Sequence, residues 1–209
     1  MLKKYQRWIG LFIAIQLSAI AIVLFVEVNL GSDTITVFED GLSQSIGCTL
    51  GQASILYNLI VLPIALLMNY KNIGWSTFLY SLCVGYFIDF YQNIFLIMNF
   101  QMYSFIIRLM IVIIAQCCFV TAYALLIALK NGMSITDAFV SGIAQKTHIE
   151  YKYLRTLIDA VTLCIGFLLG GTVGIGSIIT MLTTGTFVHI IVRKFYQAYS
   201  FHEMNCERE

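Results

Sequence analysis

Long unbroken apolar runs, separated by short polar stretches, dominate the chain. Six of them, at 8–30, 50–69, 75–92, 103–129, 151–170 and 176–195, are long enough to cross a bilayer, which takes roughly 20 mainly apolar residues. None alternates with the period of two that barrel strands require, so helices are the predicted spanning form. A polar, weakly amphipathic stretch follows the first run (32–47) and another follows the fourth (133–147). Each can form a short helix. Val37, Phe38, Leu42 and Ile46 would share a face in the first, and Ile135, Ala138, Phe139 and Ile143 in the second.

The pattern repeats. Gly31, Phe38, Gly41, Leu42, Gln44, Leu56 and Asn58 return 101 positions later as Gly132, Phe139, Gly142, Ile143, Gln145, Leu157 and Asp159. After a one-residue slip, Gly74, Leu82, Gly85, Phe87 and Ile88 return as Gly174, Leu182, Gly185, Phe187 and Val188. Two copies of one unit set the architecture before any local motif does. Three spans per copy is an odd number, so the second copy enters the membrane from the opposite side to the first. The predicted fold is therefore an all-α membrane protein of six transmembrane helices. They form two inverted-topology three-helix repeats, each with a short amphipathic or re-entrant helix after its first span. Residues 1–100 form the first repeat, 101–196 the second, and 197–209 a polar cytoplasmic tail.

Composition agrees, with 59% hydrophobic and only 11% charged residues, where a soluble domain carries about a quarter. The first run follows Lys3, Lys4 and Arg7, yet it far exceeds a signal peptide's apolar core and lacks a small-residue cleavage site, so it reads as an uncleaved span. Net charge is +1, but its distribution is lopsided. With a cytoplasmic N-terminus, Lys3, Lys4, Arg7, Lys71, Lys130, Lys146, Lys152, Arg155, Arg193, Lys194 and Arg208 fall inside and only Arg108 outside. This positive-inside bias predicts cytoplasmic N- and C-termini. The six cysteines lack ligand spacing and read as small packing residues, with no disulfide framework or zinc signature. There is no basic nucleic-acid-binding face and no Walker motif. No metal or other cofactor is expected.

Gly31 and its polar helix, the Gly41-Leu42-Ser43 turn and the span Gly74…Gly85-Tyr86-Phe87-Ile88-Asp89 form one set of markers. The run Leu168-Leu169-Gly170-Gly171-Thr172-Val173-Gly174-Ile175-Gly176-Ser177 is the most specific. On these residues the chain resembles the YczE/YyaS/YitT family of bacterial integral membrane proteins over nearly its whole length. The resemblance implies a transporter-like body in the bacterial plasma (inner) membrane and supplies no substrate. Family members often carry a Ser-Pro-Trp-Asp-like element after the first glycine. Here that stretch is Asp33-Thr34-Ile35-Thr36, and the matching acid appears only in the second repeat, as Asp137.

Polar residues inside the runs are the candidate site. Asp159 sits near the middle of the fifth run and its repeat mate Asn58 at similar depth in the second. A carboxylate at the bilayer centre costs about 2.5–3.5 kcal/mol, so it should face the bundle interior and be paired or neutral. Asp159 and Asn58 could bond each other, flank a cavity that binds solute and protons, or form a static interhelical lock. Asp89 and His189, also repeat mates, lie toward span ends, where interfacial anchoring competes with a relay role. Arg108, inside the fourth run, could take an anion or pair with Asp89 or Glu27. Gly31, Gly132, Pro63, Gly74 and Gly174 are candidate hinges or packing points, Pro63 because it removes a helical donor beside Asn58. Gly166, Gly170 and Gly174 recur at the spacing of a packing face.

The leading expectation is a secondary transporter or exporter of an unidentified small solute, proton-coupled through a midplane carboxylate. The alternatives are a substrate-capture subunit of an ECF-type importer, or a non-transporting membrane scaffold or accessory protein. No nucleophile–base pair argues for an enzyme. Small residues of the sixth run (Gly176, Ser177, Gly185) suit a homodimer or internal packing equally.

Overall fold

A computed structural model of the chain describes residues 4–70, 73–129 and 134–183. Among them are eight α-helices and no strand. The first half holds α1 (Lys4–Val28), α2 (Thr34–Ile46), α3 (Leu50–Asn69) and α4 (Trp75–Phe95). Two short 3-10 turns, Leu96–Met98 and Phe100–Met102, lead into the second half. There α5 (Phe105–Ala128), α6 (Ile135–Thr147) and α7 (Tyr151–Leu168) precede α8, described over 175–183. The bounds of α3 coincide with the predicted run, and the other described helices shift by a few residues. Gly132, Gly185, His189 and the tail lie outside the described residues.

Among the described residues, four helices are long and apolar enough to cross a membrane: Tyr5–Val28, Leu50–Asn69, Trp75–Met98 and Phe105–Ile127. The protein is thus a helical membrane protein. The fifth predicted span, α7, has 18 residues but carries Lys152, Arg155 and Asp159, and this charge sets it apart from the four.

α1 packs chiefly along α4 and α5. Its Leu11, Ile15, Ala19, Ile22 and Val23 pack with Leu50, Val84, Ile88, Leu126 and Leu129. Its other side, Ala21, Phe25 and Val28, packs with Phe100, Val112 and Ala115. The alanines let the helix axes approach, which in lipid is the main source of association because tails are as apolar as the side chains.

The short helices are not surface elements. α2 buries Thr34, Thr36, Glu39 and Asp40 together with Val37 and Gly41, while Ile46 is 60% exposed. A helix lying in the headgroup layer would do the reverse, presenting charges to water. α2 packs on α7 and α3, and α6 on α3 and α7. Each short helix therefore crosses onto the second long helix of the opposite half, and exchanging α1–α4 with α5–α8 maps the α2–α7 contact onto α6–α3. α1 and α5 contact each other directly, so the exchange maps that contact onto itself.

Glycines make these crossings possible. A methyl on Gly41 would run into the Gly166 carbonyl oxygen, and one on Gly166 would stand 2.6 Å from the Phe38 Cα. Gly31 has φ +94° and meets Gly174, and the Gly176 N–H donates to the Leu30 carbonyl at 2.8 Å. The loop after α1 is thus pinned to the loop before α8. Gly166 and Gly174 pack closely, but the Gly166–Gly170–Gly174 series is not one continuous helical face: α7 ends at Leu168, and Gly170 turns the chain with φ +98°.

Candidate functional site

Where α2, α6 and α7 meet, polar side chains collect in the interior. Arg155 forks: its Nη1 lies 2.5 Å from Asp137 Oδ1, and its Nε lies 3.0 Å from Asp159 Oδ2. The second pair is an i,i+4 contact along α7, which a helix presents on one face. Asp159 also accepts from Thr34 Oγ1 at 3.0 Å, tying α7 to the start of α2. Asp137 additionally accepts from the Tyr123 hydroxyl of α5. Charge-assisted bonds of this kind are about twice as strong as neutral ones.

α2 contributes further acids. Asp33 caps the helix, accepting from the Thr36 backbone at 3.4 Å and its hydroxyl at 2.5 Å. Asp40 accepts from the Gln44 amide at 3.0 Å and the Thr172 N–H at 2.9 Å, so it binds α2 to the glycine-rich turn after α7. Glu39 is only 3% exposed and accepts a side-chain bond from Ser54 of α3. Burial pushes Glu39 up to about 8, because desolvation opposes the charged form more than the Ser54 bond and the nearby Asp33 alter it. Burial likewise raises Asp33, against the pull of its Thr36 bonds. The Tyr57 hydroxyl lies 3.1 Å from Thr136 Oγ1, and its ring packs on Phe38 at 5.6 Å. The Tyr80 hydroxyl donates to Ser18 at 2.8 Å.

Asp137 and Asp159 are thus brought together through Arg155. Asn58 stays outside this arrangement and donates to the Ser81 carbonyl at 3.2 Å. Asp89 is a helix cap: Thr49 Oγ1 and the Gly51 N–H both donate to it at 2.8 Å, at the N-terminus of α3 where a carboxylate meets free amides. Arg108 pairs with neither Asp89 nor Glu27. It forks onto the last carbonyls of α1, Val28 at 2.6 and 2.9 Å and Asn29 at 2.9 Å, while Glu27 bonds Gln92. The physical reason is that a helix C-terminus offers several unpaired carbonyls, enough to satisfy a guanidinium without a carboxylate. Pro63 lies within α3, which continues from Leu50 to Asn69. Gly74 precedes α4 as its N-cap, and Gly174 packs against Leu30.

Three participants escaped the sequence reading. Arg155 stood among the inner basic residues, yet its side chain is only 23% exposed and ion-paired. The signal available was its i,i+4 spacing to Asp159. Glu39 and Asp33 do not share the repeat register of Asp137, but register matters less when α2 is buried on several sides. Their repeat mates are informative in retrospect. Asp137, Arg155 and Asp159 correspond to Thr36, Ser54 and Asn58, so one half carries charge where the other is neutral.

The chain belongs to DUF6198, a family of unknown function whose model matches residues 5–193. It is also similar to an uncharacterized protein of Haemophilus influenzae, 25% identical over 194 residues that cover 91% of this chain and 87% of the relative. No solved structure matches it.

Proposed function

We propose that this chain is a secondary transporter of a small solute in the bacterial plasma membrane, coupled to protons through its buried acids. The observation that carries the reading is a cluster of acids that outnumbers the guanidinium beside it. Asp33, Glu39 and Asp137 are buried and Asp159 half-buried where the two short helices cross onto opposite halves, and Arg155 pairs with Asp137 and Asp159. Buried acids beyond those an arginine can neutralise either hold protons or attract a cation. Glu39 is poised for the first role, with its ionisation raised to about 8.

The exchange relation among the helix contacts supports an inverted-repeat transporter of six spans, whose two halves can trade conformations around a central site. The resemblance to YczE/YyaS/YitT proteins supports the same class. A substrate-capture subunit needs no such interlocking of halves. The N- and C-termini are cytoplasmic in this reading, from the distribution of lysine and arginine.

The test uses purified protein in liposomes with a pH-sensitive dye trapped inside. Small cationic, amphiphilic and anionic solutes are applied in turn under a pH gradient. Solute-dependent proton movement absent from protein-free vesicles supports transport; none with any solute speaks against it.

A further inference from the structure

The polar core divides into two packing units. α2 packs chiefly on α7, and α6 chiefly on α3, while the α2–α3 and α6–α7 contacts are thinner. Within the first unit, Thr34 bonds Asp159, Asp40 bonds the Thr172 N–H, and Gly41 lies against Gly166. Within the second, Tyr57 meets Thr136, Asn69 donates to Ser141 at 2.8 Å, and Gly142 lies against Met68.

Between the units run two seams with related chemistry. At the α6–α7 seam Arg155 reaches Asp137. At the α2–α3 seam Ser54 donates to Glu39, beside the Phe38–Tyr57 ring contact. Ser54 and Arg155 are 101 residues apart, so the same position in each half grips an acid on the adjacent short helix. One grip is an ion pair and the other a neutral-donor bond to a buried glutamate.

We infer that these seams open in turn, the α2–α3 seam when Glu39 loses its proton and the α6–α7 seam when Arg155 leaves Asp137. Glu39 and Arg155 are then the coupling residues of the cycle, an inference that rests on the transporter reading above. The geometry makes both steps feasible. An ionised Glu39 would face Asp33 on its own helix, Ser54 and Tyr57 on α3 and Tyr80 on α4, with Arg155 and Asp159 of α7 acting on the same Tyr57. Arg155 is committed to Asp137 and Asp159, so Glu39's charge must be solvated by water entering its own seam. At the other seam neither charge is abandoned when the units part. Arg155 keeps Asp159 on its own helix, and Asp137 keeps the Tyr123 hydroxyl. A pair that can break without orphaning either partner avoids most of the penalty of splitting a buried ion pair.

Hydrogen–deuterium exchange on the full chain in detergent reads each seam by its own peptides, with rates corrected for intrinsic pH dependence. From about pH 6 to about pH 9, exchange in α2 should rise about tenfold in wild type and stay level in Glu39→Gln, while α6 is unchanged. Arg155→Gln should speed α6 about tenfold and leave α2 alone. Arg155→Lys, which keeps the charge, should fall between and serves if the glutamine variant does not fold. Uniform changes across both helices, or a pH response that survives Glu39→Gln, would overturn the inference. Wild-type proton flux in liposomes separates the two ideas. Flux with uniform exchange sinks the seams alone, whereas seam-specific exchange without flux sinks the transporter reading.

Discussion

Gly41 and Gly142, repeat mates 101 residues apart, hold the same place against opposite halves of the protein. A Cβ on Gly41 would stand 3.0 Å from the Leu169 Cβ, and one on Gly142 would stand 2.6 Å from the Met68 Cβ. Met68 and Leu169 are themselves 101 residues apart. The backbone approach of α2 to α7 is therefore reproduced by α6 on α3. Gly41→Ala and Gly142→Ala should each lower stability by about 1–3 kcal/mol, because the helices must separate to admit a methyl. Thermal unfolding in detergent checks this, with Ser45→Ala, on the exposed side of α2, expected to stay within about 0.5 kcal/mol.

Arg108 and Asp89 act at helix ends, at a distance in sequence from what they cap. Arg108→Ala should cost up to ~2 kcal/mol by exposing the Val28 and Asn29 carbonyls. Asp89→Ala should cost about 1 kcal/mol at the start of α3. Both variants, once folded, should retain any transport activity of wild type. A loss of flux with normal thermal stability would give these residues a role beyond capping.

How far this was legible in the sequence depended on the kind of force involved. Helix bounds and the two short elements were readable because hydrophobic run length and glycine stops are local properties, as α3, which matches its apolar run, and α2, which stops at Gly47, illustrate. Repeat mates were readable by simple comparison. What was not readable is partner choice. Asn58 and Asp159 share a register, yet Asn58 turns to the Ser81 carbonyl while Asp159 takes Arg155 and Thr34. The decision lies in how α2 crosses α7, a tertiary contact no local pattern encodes. The ion-pairing of Arg155 was not readable for a related reason. The positive-inside rule sums over loops and cannot tell a headgroup anchor from a residue drawn inward by two acids.

Removing Arg155 while leaving its acids should be worse than removing all three charges. Arg155→Ala should cost about 3 kcal/mol, since Asp137 and Asp159 lose their counter-charge in a mostly buried setting. The triple variant Asp137→Thr, Arg155→Ser, Asp159→Asn copies the neutral set of the first half and should recover much of that loss. Thermal unfolding of the two proteins side by side decides it: a triple variant less stable than Arg155→Ala would refute the account of this cluster.

Stability should also depend on pH with a definite sign. Glu39 ionises near 4.5 in an unfolded chain and near 8 when folded. Between those values the folded protein binds more protons, so stability falls as pH rises and levels off above about 8. Asp33, shifted in the same direction, adds to the slope. Melting temperatures should decline from about pH 5 to about pH 8 in wild type, and Glu39→Gln should flatten much of that decline. A wild-type profile that rises over this range would contradict the protonated assignment.

The most direct test of the central claim compares wild type with Glu39→Gln in liposomes carrying an internal pH-sensitive dye. Both proteins are first shown to be folded by their melting temperatures. The account predicts solute-dependent proton movement in wild type that vanishes in the variant. Equal proton movement in both would remove the buried glutamate from the coupling step and contradict the account.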